Sequence, residues 1–165
     1  MKINEKDISF NKRVSIKQIE EGKEFCPKFD KEGLIPCITL EYESKEILMF
    51  SFLNEEALKK SIVKKKAHYY SRSRKNIWFK GEVSGMYHQI QDILIDDDQD
   101  SIIFIVKLNE PTKGGNKASC HVGYKSCFYR KVEVLDNKLV LKFTEHKKSF
   151  DPEIVYEGIE NPTKI

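Results

Sequence analysis

The chain has 165 residues, 39% hydrophobic and 33% charged, with a formal net charge of +3 at pH 7. That length suits one domain with a real core, and that balance excludes a disordered or fibrous protein. A net charge so close to zero supplies no global basic field to recommend a nucleic-acid partner.

The opening "MKINEKDISF" is polar and mixed in charge, without the apolar stretch of a secretory signal. No apolar run approaches the roughly 18 residues of a membrane span. The expectation is a cytoplasmic protein with no membrane partner, whose thiols stay reduced. Residues 1–27 are charged and weakly patterned and read as an N-terminal arm. "GLIPCITLEYESKEILMFSFL" reads as two strands joined by a polar turn at "ESKE". Cys37 lies in its apolar run and reads as core packing; Cys26 is isolated. "NEEALKKSIVKKK" reads as a helix, with Asn54 as N-cap, Glu55 and Glu56 in the first turn and lysines at the end.

"AHYYSRSR" and "NIWFKG" are short, aromatic and β-prone. "YHQIQDILI" and "SIIFIVKL" read as strands flanking an acidic stretch, and "NEPTKGGNK" as a loop. "KVEVLD" and "KLVLKF" make a late hairpin, and "FDPEIVYEG" is a tail whose docking periodicity does not settle. The fold class expected is α+β, β-dominant, in a single compact domain with one main helix.

Two stretches carry chemistry. "IDDDQDS" crowds Asp96, Asp97, Asp98 and Asp100 into five positions. A solvated acidic turn is the plain reading. If the preceding strand continues, alternation puts Asp96, Asp98 and Asp100 on one face, a set suited to a hard cation such as Mg²⁺, with Asp97 facing away. "ASCHVGYKSCFYR" holds Cys120 and Cys127 with His121 beside the first. C-x6-C is not a structural-zinc spacing, so the pair is either core or part of an open site with one more ligand. Asp97, His121 and His88 are the candidates for that ligand. The basic and aromatic "KKKAHYYSRSRKNIWFK" can also be read as an RNA-binding face, which the near-neutral total charge argues against.

The order and spacing of "EEGKEFCPKFDKEGLIPCI", "EILMFSFLNEEALKKSI", "AHYYSRSRKNIWFKGEVSG", "DDDQDS", "CHVGYKSCFYR" and "FDPEIVY" resemble the phosphoribosyl-AMP cyclohydrolase family of histidine biosynthesis. The resemblance spans about residues 20–157 and leaves 1–19 as an arm and 158–165 as a tail. It implies a hydrolase that opens the adenine ring of N1-(5-phosphoribosyl)-AMP at the N1–C6 bond. It also implies an intertwined homodimer with a zinc site across its interface. By that resemblance Asp96, Asp98 and Asp100 hold Mg²⁺, Cys120 and Cys127 are zinc ligands, and His121 is catalytic. The substrate's two phosphates and purine direct attention to Ser71, Arg72, Ser73, Arg74, Trp78, Lys80, Glu82, Ser84 and Arg130, with Lys125 a further anion candidate.

The departures are specific. The third zinc ligand of the family is a cysteine in D-C-D-x-D, and Asp97 stands there. Carboxylate keeps the charge and loses the softness, which favours Mn²⁺ or another harder ion in place of zinc. Met86 and His88 occupy places where the family often has His or Asn, and Gln. The loop at 109–117 is longer than in many relatives. These departures leave open a diverged relative acting on, or only binding, another N1-substituted purine nucleotide.

Overall fold

The computed structural model describes residues 3–163, so the first two residues of the arm and the last two of the tail lie outside the described residues. In the arm a 3-10 turn, Glu5–Asp7, precedes helix α1, Ile16–Glu21, capped by the Ser15 side chain accepting from Gln18 N–H. The sequence reading left this segment without pattern. Its six residues are too few for an apolar stripe, and none of them is buried.

Strands β1 (Leu34–Glu41) and β2 (Ile47–Asn54) form the expected hairpin around the polar turn. Helix α2 (Glu55–Lys64) follows at once, with the Asn54 side chain accepting from Ala57 N–H at 2.8 Å. Glu55 and Glu56 pair with Lys59 and Lys60 one turn on, and the helix stops where Lys65 turns left-handed at φ 53°. Strands β3 (His68–Ser71), β4 (Asn76–Phe79), β5 (His88–Ile95) and β6 (Ile102–Leu108) complete a six-stranded sheet in the order β4-β3-β2-β1-β6-β5. All pairs are antiparallel except β1 with β6.

The sheet curls until its far edge meets the segment before β3. Ala67 N–H donates to His88 C=O at 3.0 Å and Ile90 N–H to Lys65 C=O at 2.9 Å, which satisfies an edge that would otherwise be open. The concave side holds the core: Ile35, Leu48, Leu53, Leu58, Tyr69, Ile102, Phe104 and Val106 are all buried. Cys37 is fully buried among them, as expected of a packing cysteine. Truncating Leu53 or Leu58 to alanine there costs about 2–5 kcal/mol.

A second hairpin, β7 (Arg130–Leu135) and β8 (Lys138–Phe143), stands apart from the main sheet. Val132, Val134, Leu139 and Leu141 form cross-strand pairs on one of its faces, and all four are exposed. The tail does dock. Asp151 caps α3 (Pro152–Val155), and Phe150 and Val155 bury against Met86 and Ala118 in a small second core. Met86 is therefore a core residue, fully buried.

Candidate active site

The cysteine loop is closed by its own backbone. Ser119 N–H donates to Lys125 C=O, Cys120 N–H to Tyr124 C=O and Gly123 N–H to Cys120 C=O. The Glu145 carboxylate accepts from the N–H groups of Lys125 and Ser126, and Cys127 N–H donates to Leu48 C=O of β2 at 2.8 Å. This tight turn is why a six-residue spacer brings Cys120 and Cys127 close enough for each thiol to shift the other's pKa. The hydrogen bond from Cys127 lowers the Cys120 thiol to about 7, against the opposing effect of burial. Cys127, exposed at the end of the loop, is pushed strongly up chiefly by the neighbouring Cys120 thiol, so the two titrate as a pair.

Beside the pair lies a cavity of about 750 Å³, lined by Arg74, Trp78, Lys80, Glu82, Ser84, Ser119, His121 and Cys127, among others. Lys80 is only 5% exposed. Burial drops its pKa to about 8, with the thiols pulling the other way. The turn that presents Lys80, Glu82 and Ser84 depends on Gly81: at φ +92°, a Cβ there would lie 2.5 Å from Tyr87 N. Burial lowers the His121 pKa, partly offset by the Asn161 side chain. Its Nε2 is buried and has no hydrogen-bond partner among the described residues. A buried imidazole nitrogen without a partner costs stability unless something fills the cavity beside it.

The remaining expectations divide. Ser71 lies outside the cavity but accepts from Arg74 Nε and N–H, fixing the arginine that lines it. Arg72 lies over the Phe52 ring and Arg130 over Tyr129, and neither these nor Ser73 lines the cavity. Lys125, read as an anion candidate, is instead committed to Glu41 and Glu46, both at 2.7 Å. His88 is fully buried with both ring nitrogens hydrogen-bonded, to Tyr69 and Ser119, which removes it as the third ligand of the cysteine pair. Tyr69 is buried and Trp78 and Phe79 half-buried, so the basic-aromatic segment turns much of its aromatic surface inward.

The acidic stretch is a turn, not a continued strand. Strand β5 stops at Ile95, and Gln99 turns left-handed at φ 58°. The alternation argument therefore fails, because the backbone bends before it can alternate. The carboxylates that converge, within 4.8 Å of one another, are those of Asp96, Asp97 and Asp98. Burial acts to raise the Asp96 pKa, but hydrogen bonds from the Ser101 hydroxyl and the Ser101 and Asp100 amides hold it below the ordinary value. Asp98 and Asp100 share the Lys28 ammonium, at 3.3 and 3.4 Å. None of these aspartates lines the cavity, and among the described residues they form the one three-group cluster of metal-ligand type. Among the described residues, no third group of that kind stands with the cysteine pair.

Sequence reasoning missed the cavity wall supplied by Ser119, Tyr156 and the tail at 159–163. The "FDPEIVY" stretch, with Phe150 and Val155 as anchors, was its one signal.

The sequence profile of the phosphoribosyl-AMP cyclohydrolase family matches residues 49–129, from β2 through the whole cysteine loop. The chain belongs to the phosphoribosyl-AMP cyclohydrolase family. A phosphoribosyl-AMP cyclohydrolase of Bradyrhizobium diazoefficiens is 40% identical over 140 residues, covering 85% of this chain and 95% of the relative. One of Rhizobium rhizogenes is 42% identical, over 84% and 90%. One of Chloroherpeton thalassium is 45% identical, over 78% and 85%. Among the described residues, no helix is long and apolar enough to cross a membrane.

Proposed function

We propose that this chain is a phosphoribosyl-AMP cyclohydrolase, opening the N1–C6 bond of N1-(5-phosphoribosyl)-AMP in histidine biosynthesis. The observation that carries the reading is the tight loop that places Cys120 and Cys127, with His121, at a cavity that also presents Lys80 and Arg74. The donor set fits a divalent metal in part: two thiols, one of them readily ionised, lacking a third ligand. In the proposed enzyme Asp97 of a second copy completes that set, for zinc or for a harder ion such as Mn²⁺, and Asp96, Asp98 and Asp100 hold Mg²⁺.

Two surfaces support a second copy. Phe50, Ile38, Ile103 and Leu94 lie in register across four strands as an apolar row, with Phe50, Ile38 and Leu94 exposed. The apolar face of β7–β8 is the other. Such patches mark interaction sites on a chain of this size.

Cys120 and Cys127 would hold a divalent metal, which would supply a water acidified to a pKa of about 7. The chain's own residues do the rest. Arg74, fixed by Ser71, and the buried Lys80 bind the phosphates, Trp78 stacks on the purine, and Glu82 and Ser84 offer hydrogen bonds beside them. As the water oxygen bonds to C6, the C6–N6 π pair moves onto the exocyclic nitrogen and His121 takes the water's proton at Nε2. The N1–C6 bond breaks with its electron pair going to N1, and His121 returns the proton to that nitrogen. A cytoplasmic setting suits reduced thiols.

The test is ring opening of phosphoribosyl-AMP by metal-stripped protein, followed by ultraviolet absorbance, with Zn²⁺, Mn²⁺ or Mg²⁺ added back separately. Turnover with one or more of these is expected. No turnover with any of them, from folded protein, overturns the reading and favours the diverged nucleotide-binding relative that Asp97 raises.

A further inference from the structure

A chain of hydrogen-bonded side chains runs through the core to the cavity wall. Thr39 Oγ1 lies 2.9 Å from the Tyr69 hydroxyl, which lies 2.8 Å from His88 Nδ1. His88 Nε2 lies 3.0 Å from Ser119 Oγ. Thr39, Tyr69 and His88 are fully buried and Ser119 is 2% exposed. The four residues come from β1, β3, β5 and the cysteine loop, so the chain crosses the curled sheet and ends one residue before Cys120. Ser119 also lines the cavity, and its N–H is fixed on Lys125 C=O at 2.8 Å.

Four buried polar groups in series define one another's protons. A neutral imidazole carries one N–H, so its two nitrogens do opposite jobs. Between a phenol and an imidazole, the phenol is the stronger acid and the imidazole nitrogen the stronger base. Tyr69 therefore donates to Nδ1, and Thr39 donates to the Tyr69 oxygen. The imidazole proton then sits on Nε2 and is donated to Ser119 Oγ. With that oxygen occupied as an acceptor, the Ser119 proton is free to point into the cavity, and among the described residues no other group takes it. Burial, reinforced by the nearby Lys80 charge, keeps His88 neutral, as this directional chain requires.

We propose that His88 is a positioning residue, and that it fixes Ser119 as a hydrogen-bond donor to an anionic oxygen of the nucleotide held in the cavity. The inference rests on reading the cavity as the substrate site. The device needs no metal and uses residues outside both ligand clusters. It also gives the His88 substitution a role: an imidazole in its Nε2–H form presents an acceptor to Tyr69 and a donor to Ser119 from one rigid ring.

Two measurements test it on the full chain. The first is the ¹⁵N spectrum of the histidine side chains in the wild-type protein, which has four histidines. The result expected is a neutral His88 with its proton on Nε2. A proton on Nδ1 overturns the proposal, because Ser119 would then donate to His88. The second is steady-state kinetics. Ser119→Ala and His88→Leu should each lower kcat/KM about tenfold, chiefly through KM, the scale of one hydrogen bond to a charged group. The double variant should be little worse than either, and His88→Gln, whose amide has the same acceptor and donor, should restore most of the loss. An unchanged KM in Ser119→Ala, the variant least able to disturb the core, overturns the proposal. Failure of the cavity reading looks different: added product nucleotide would leave the Trp78 indole and Ser119 amide resonances unmoved. That removes the ligand and overturns the proposal even with the tautomer as expected.

Discussion

The cysteine loop and the acidic turn carry residue types of similar chemical use, yet the fold holds them in opposite ways. Residues 119–127 fold back on themselves, bring two thiols near each other and face a walled cavity. The acidic turn lies apart from that cavity. Gln99 secures it by accepting from Cys26 N–H at 2.7 Å and donating to Ile19 and Glu24 C=O, while Arg13 bridges Cys26 C=O and Asp98 C=O. One region faces a cavity and, among the described residues, brings no third metal-ligand group to its thiols. The other carries half-buried and exposed carboxylates, Asp97 the exposed one of the converging three. Two incomplete halves on one chain are what a site shared between two copies requires.

Breaking the thiol side should have the largest effect. Cys127→Ser is expected to lower kcat/KM on the order of a thousandfold and to abolish zinc retention on dialysis. An active, zinc-retaining variant would remove the cysteines from the site. On the acidic side, Asp97→Cys restores a soft ligand and should raise both zinc retention and zinc-supported turnover. Unchanged zinc content by elemental analysis sinks the account of Asp97.

Lys80 sharpens the contrast in stability. Its pKa of about 8 in the fold lies below the ordinary 10.5, so the folded chain binds that proton less well than the unfolded one. The cost is fully present below pH 8 and is relieved as pH rises from 8 to 10.5. Metal-free Lys80→Met should therefore be more stable than wild type at pH 7, by up to about 3 kcal/mol in urea unfolding, while losing activity. The gap should close toward pH 10.5. A destabilised variant would show that the lysine is paired rather than merely buried. Gln99→Ala should cost about 2 kcal/mol by loosening the arm from the turn, with far less effect on the cavity. Lys28→Met should change stability least, since that ion pair is exposed, yet should tighten Mn²⁺ binding at the turn by removing a competing ammonium. Weaker Mn²⁺ binding would show that Lys28 organises the carboxylates rather than competing for them.

Most strands were legible because their apolar runs end in turn residues, and α2 because Asn54, two glutamates and terminal lysines punctuate it. The cysteine loop was legible as a motif, but its contact geometry depends on backbone bonds within the loop and on Glu145, which no spacing rule encodes. The acidic turn misled in a specific way: alternation presumes a strand, and the left-handed Gln99 ends it. In the sequence His88 stood only as a candidate third ligand within a strand. Its role emerges only once the sheet curls and sets β3 against β5.

The central claim is a cyclohydrolase whose site is divided between two copies, and subunit complementation tests it most directly. Asp97→Ala and Cys127→Ser protein, each inactive alone, are dissociated, mixed in equal amounts and reassociated. The account predicts recovery of about a quarter of wild-type ring-opening activity, since half the dimers are mixed and each mixed dimer has one intact site. No recovery, with mixed dimers demonstrated by mass, would contradict it.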